Sequence, residues 1–134
     1  MIAVDSSALV AIFRKEDDWE QLLDAIEQAR EAVVSTASLA ETLIVMSGRR
    51  AGGVVAGADA DLRDFLSESG LEPRPVTLRQ VWLANGAFLR FGKGRHKAAL
   101  NFGDCFAYAL ARELDAPLLY KGNDFSHTDV RSVL

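Results

Sequence analysis

Four acidic residues stand beside apolar segments in this chain. Asp5 ends the run "MIAVD" and leads directly into the apolar "SSALVAIF". Glu41 lies in "STASLAET", and Asp104 opens "DCFAYALA", a stretch with no polar face that reads as a helix buried on all sides. Asp124 lies in "KGNDF", just after the apolar "PLLY". Each has a plain structural role open to it. Asp5 could cap a helix. Ser38 and Glu41 have the spacing of a capping box. Asp104 could favour the positive end of its helix dipole, and Asp124 could be a turn residue. Taken together they suggest more. Carboxylates gathered in a site shielded from water repel one another, and one or more must take up a proton. A divalent cation removes that conflict. An all-oxygen ligand set suits hard ions such as Mg²⁺ or Mn²⁺ rather than zinc. Such an ion lowers the pKa of a bound water, orients a phosphate and stabilises a leaving oxygen.

The elements that would position these acids follow from hydrophobic period. "MIAV" (1–4), "AVVS" (32–35), "RPVT" (74–77) and "PLLY" (117–120) read as short strands, with Pro75 marking an edge. Helices are expected over 6–15, 18–30, 38–50, 78–92 and 103–114. A further helix, ending at Gly70, follows a glycine-loosened turn in 52–70. This alternation implies a mainly parallel sheet covered by helices on both faces. In such sheets chemistry gathers beyond the carboxyl ends of the strands. That rule places Asp5 and Asp124 on one rim; it does not by itself bring Glu41 and Asp104 there.

The bulk properties narrow the class. A length of 134 residues fits one domain, 1–134, with a sizeable core, and 49% hydrophobic with 25% charged residues is ordinary for a globular protein. No apolar run is long enough to span a membrane, and the first residues read as a strand rather than a signal peptide. The single cysteine, Cys105, allows no intrachain disulfide and suits a cytoplasmic protein; inside its apolar helix it reads as a small core residue. A net charge of −4 argues against a coat of positive charge for duplex DNA. It leaves room for a local strip, and "RFGKGRHK" (90–97) is one, with Arg49 and Arg50 a second. Arg95 and Lys97 are the leading phosphate contacts in the first strip. His96 and His127 lie in polar stretches with nothing to link them, so a metal-independent, histidine-based chemistry is disfavoured.

"AVDSSALVAIF", "STASLAET", "GKGRHKAALNFGDCFAYALA" and "PLLYKGNDFSHTDV" together resemble a PIN-domain ribonuclease, and within that family a VapC-type toxin of a bacterial toxin–antitoxin pair. The resemblance covers essentially the whole chain, and its last two segments are the most specific. It implies an α/β fold, a three-layer α/β/α sandwich with a mainly parallel sheet. It also implies Mg²⁺- or Mn²⁺-dependent endonucleolytic cleavage of RNA. By position, the family's four acids fall on Asp5, Glu41, Asp104 and Asp124, and its small hydroxyl residue falls on Ser6, with Ser7 beside it. Ser at position 6 is a mild departure from Thr that keeps the hydroxyl.

On that resemblance Asp5, Asp104 and Asp124 are expected to bind the metal, and Glu41 to orient or deprotonate the attacking water. Ser6 is expected to hydrogen-bond a carboxylate or a phosphate oxygen. The substrate is expected to be single-stranded or looped RNA, whose bases are accessible. A cognate VapB-type antitoxin would lie in an apolar groove, with helices 18–30 and 38–50 as candidates, and a homodimer is expected. Two rivals remain. A phospho-acceptor receiver domain needs an Asp ending its third strand, which "RPVT" lacks. A non-catalytic antitoxin-binding, operator-regulating module would not need four acids.

Overall fold

The computed structural model of the chain describes residues 1–48 and 57–134. Arg49, Arg50 and residues 52–56 of the glycine-rich turn lie outside the described residues. The elements run β1 (Ile2–Val4), α1 (Ser6–Phe13), α2 (Trp19–Gln28), β2 (Ala32–Ser35), α3 (Thr36–Met46), α4 (Ala58–Ser69), β3 (Glu72–Arg74), α5 (Leu78–Phe91), α6 (Phe102–Glu113) and β4 (Leu118–Leu119). A 3₁₀ turn, Phe125–His127, follows β4.

The four strands form one parallel sheet in the order β3-β2-β1-β4. Side chains alternate across it, as the period of a strand requires. Ala3, Val33 and Leu118 face one core with Ala84, Phe91 and Leu110 of α5 and α6. Ile2, Val4, Val34 and Leu119 face the other, with Leu9 and Ile12 of α1 and Leu22 and Ile26 of α2. The sheet is therefore the middle layer of an α/β/α sandwich, as expected. Both faces of β1 are covered, which is why its residues are apolar throughout. No helix of the described residues is long and apolar enough to cross a membrane.

Several boundaries differ from the sequence reading, two of them for a clear local reason. The strand expected at 74–77 is Glu72–Arg74. Gly70 closes α4 in the left-handed conformation at φ 71°, so the chain enters the strand early. Thr77 is used as the N-cap of α5, its side chain accepting from Gln80 N–H. Edge placement holds, because among the described residues β3 pairs only with β2, and its Pro73 has no N–H to offer a further strand. Helix α3 begins at Thr36 because Ser35, not Ser38, is its N-cap. The Ser38–Glu41 capping box is thereby ruled out. Helix α6 is buried along most of its length, but Phe102 in its first turn is 80% exposed.

Candidate functional site

The sheet and two helix starts bring the four acids to one cleft of about 390 Å³. Asp5 follows β1, the strand paired on both sides, and caps α1. Its Oδ2 accepts from Ser7 N–H at 3.0 Å and from Ser7 Oγ at 2.5 Å. Ser7 Oγ in turn accepts from Lys121 N–H at 3.0 Å. One hydroxyl thus ties the first acid to the loop that carries Asp124. Asp5 Oδ1 is buried and has no hydrogen-bond partner.

Asp104 is held by a true capping box at the start of α6. Its N–H donates to Asn101 Oδ1 at 2.8 Å, and Asn101 N–H donates to Asp104 Oδ2 at 3.0 Å. The dipole reading of Asp104 is accordingly compatible with a second use, because one oxygen caps while the residue still lines the cleft. Glu41 lies mid-helix in α3, half-buried, and Ser6 Oγ donates to its Oε1. Ser6 and Ser7, adjacent in sequence, serve two different carboxylates. Asp124 is exposed at the head of the 3₁₀ turn and makes no side-chain cap hydrogen bond, which leaves its carboxylate available to the cleft.

The electrostatics follow from burial and crowding. Burial raises Asp5 from the ordinary 3.8 to about 6, helped by Glu41 and opposed by the Ser7 hydrogen bonds. Burial raises Asp104 to about 7, with Asp5, Glu41 and Asp124 adding repulsion against the Asn101 hydrogen bond. Among the described residues no three His, Cys, Asp or Glu side chains already form a group that could hold one ion. The donor set nevertheless fits a hard cation. Its atoms are carboxylate oxygens with no thiol or imidazole among them. A buried carboxylate oxygen without a donor, Asp5 Oδ1, is an acceptor that nothing among the described residues satisfies.

The PIN domain family matches residues 2–131. The chain belongs to the PIN domain family. Within it the chain belongs with the VapC ribonucleases. It is 45% identical to ribonuclease VapC28 of Mycobacterium tuberculosis over 132 residues, 98% of this chain and 96% of that one. It is 41% identical to ribonuclease VapC30 of the same organism over 132 residues, 98% of each. Ribonuclease VapC of Mycolicibacterium smegmatis is 43% identical across 98% of this chain and 99% of its own. The fold is also that of the M. tuberculosis VapC20 toxin, described as cleaving the sarcin–ricin loop (TM-score 0.76, 21% identity, 99% and 98% coverage).

In this PIN domain the basic strip expected to steer RNA lies apart from the cleft lining. Arg95 and Lys97 are exposed on a tight turn between Gly92 and Leu100 and do not line the acidic cleft. Arg95 instead lies over the ring of Phe88, 5.7 Å from its centre. His96 Nδ1 accepts from Ala98 N–H, a packing role. Among the described residues the cations that line the cleft are Arg14 and Lys121. Of the helices suggested as an antitoxin groove, α2 turns Leu22 and Ile26 into the core, while α3 leaves Ile44 and Val45 exposed.

Sequence reasoning missed Ser7's clamp, Asn101 and Gly103. A Cβ at position 103 would fall on the Glu41 carboxylate, so the missing side chain gives that acid its seat beside α6. The "NFGD" order holds both signals, a cap residue three before an acid and a glycine next to it, but a single sequence does not show what fills the glycine's space. Ser7→Ala is expected to reduce RNA cleavage by about 10- to 100-fold, the scale of losing a group that orients a ligating side chain. It is expected to cost about 1 kcal/mol of stability. Cleavage rates and urea melts check both.

Proposed function

We propose that this chain is the toxin of a toxin–antitoxin pair and a metal-dependent endoribonuclease, residues 1–134 forming one PIN domain. The observation that carries this is the buried, donorless Oδ1 of Asp5 in a cleft shared with Glu41, Asp104 and Asp124. Asp5, Asp104 and Asp124 would hold Mg²⁺ or Mn²⁺. When bound, the ion supplies a water of lowered pKa and neutralises charge on the phosphate. The protein's own part is positional. Ser7 fixes Asp5, Asn101 fixes Asp104, and Ser6 aims Glu41, whose other oxygen orients or deprotonates the attacking water. In-line attack at phosphorus would leave a 5′-phosphate and a 3′-hydroxyl. No step uses a 2′-hydroxyl, so the preference for RNA rests on how the strand is held.

The substrate we propose is single-stranded or looped RNA in the cytoplasm, with Ser6, Arg95 and Lys97 as contacts along its path. The partners are a VapB-type antitoxin, presenting a basic side chain to the acids, and a second copy of the chain. A structural neighbour is a toxin–antitoxin complex from Klebsiella pneumoniae (TM-score 0.68, 13% identity, 96% of this chain and 93% of that one), a likeness of fold. The test is total cellular RNA incubated with antitoxin-free protein, with Mn²⁺ or Mg²⁺ and separately with a chelator. Discrete fragments bearing 5′-phosphates in the metal lane alone are expected. Cleavage that persists in chelator would overturn the metal-dependent reading.

A further inference from the structure

The acidic cleft must accept a polyanion, and a metal at three acids serves the phosphate being cut, not its neighbours. Ser6 and Val10 of α1 and its C-cap Arg14 are spaced four residues apart, in line with the helix, and all three line the cleft. At 1.5 Å rise per residue, Arg14 lies about 12 Å along the helix from Ser6. Helical side chains lean toward the N-terminus, here toward the acids.

Of the two cations on the cleft wall among the described residues, Lys121 is already engaged. Its Nζ lies 2.8 Å from Asp18 and 3.6 Å from Glu16. Arg14 has no carboxylate partner among the described residues. Its Nη2 donates to the Val45 carbonyl at 3.2 Å, which steadies the side chain and leaves other guanidinium N–H groups free. An exposed guanidinium with fixed aim and spare donors matches the paired oxygens of a phosphate.

We propose that Arg14 grips a phosphate of the RNA strand flanking the bond to be cut. This deepens the ribonuclease reading and rests on it. Arg14 holds substrate without touching the reacting atoms, so its removal raises KM and leaves kcat almost unchanged. The geometry also makes α1 a ruler, with the cutting site at its start and a phosphate clamp at its end.

The experiment measures binding of a fluorescein-labelled single-stranded RNA oligonucleotide as a function of salt, in the cleavage-silent Asp5→Asn background. Arg14→Gln is expected to weaken binding about fivefold, the scale of one exposed charge-assisted hydrogen bond. It should reduce the slope of log K against log salt by about 0.7, the release of one counterion from a single strand. Arg14→Lys should keep most of that slope, which a merely structural role for the side chain would not predict. In otherwise unaltered protein, Arg14→Gln should raise KM by a similar factor. An unchanged slope in the folded Gln variant overturns the assignment. Because the slope is read without cleavage, it stands or falls apart from the ribonuclease reading, which the chelator test decides.

Discussion

Asp5→Asn is expected to reduce RNA cleavage on the order of 10³-fold, the scale on which removing one preorganised charged or polar group from an active site acts. Asn keeps the shape of Asp, and its side-chain oxygen can still accept from Ser7. What it loses is the negative oxygen that no donor satisfies. The same change should not harm the fold. Asp5 is 1% exposed, and burial already raises its pKa to about 6, so its charge is a burden on the metal-free protein. Single-turnover cleavage of a mapped substrate, with thermal melts of both proteins, checks the two halves. Activity within tenfold of the parent would remove Asp5 from the chemistry. A large fall in melting temperature would instead mean that the acid serves the fold.

The second large effect concerns pH and metal together. Asp5 and Asp104 have folded-state pKa values of about 6 and about 7, above the ordinary 3.8. The folded chain therefore binds more protons than the unfolded chain between roughly pH 4 and pH 7. Stability of the metal-free protein should rise as pH falls through that window and decline as pH rises through it, opposite to the behaviour of salt-bridged carboxylates. For Asp5 alone the shift is equivalent to about 3 kcal/mol. Adding Mn²⁺ or Mg²⁺ at pH 7.5 should raise the melting temperature, and the gain should shrink at pH 5, where protons compete for the same oxygens. Asp104→Asn should raise the metal-free melting temperature at pH 7.5 and blunt the response to metal. Melts across pH 5 to 8, with and without the ion, test this; a metal-free protein that is most stable at pH 8 would refute it.

The layers and the sheet were legible from period alone, because apolar strands between amphipathic helices leave a parallel sheet few alternatives. Asp5 was legible for the same reason: an acid directly after a buried strand has one place to be. Asp104 was legible from its contrast with the apolar helix behind it. Glu41 was harder. Ser35 and Ser38 are both good caps, and only the tertiary fold chose Ser35, which moved Glu41 into mid-helix. The electrostatic partners were least visible. A run such as "RFGKGRHK" announces its charge, but which way a turn faces depends on contacts remote in sequence. Here that turn leaves the cleft wall to Arg14 and Lys121, two isolated cations with no local pattern to mark them.

The sheet order has a consequence for how such a protein is made. The first strand pairs with the last, Ala3 with Leu118 and Val4 with Leu119, and Asp5 N–H donates to the Leu119 carbonyl. The final segment also adds a bridge between Ser132 and Leu118. Chains emerge from the ribosome N-terminus first, and domains fold as their segments become available. An emerging chain that displays Asp5 and Glu41 still lacks the strand that locks Ser7 to Lys121 and places Asp124. The four-acid cleft is completed only when the segment carrying β4 and Asp124 docks. On the proposed reading of the site, a chain still lacking β4 and the loop after it therefore holds only part of the acidic cleft.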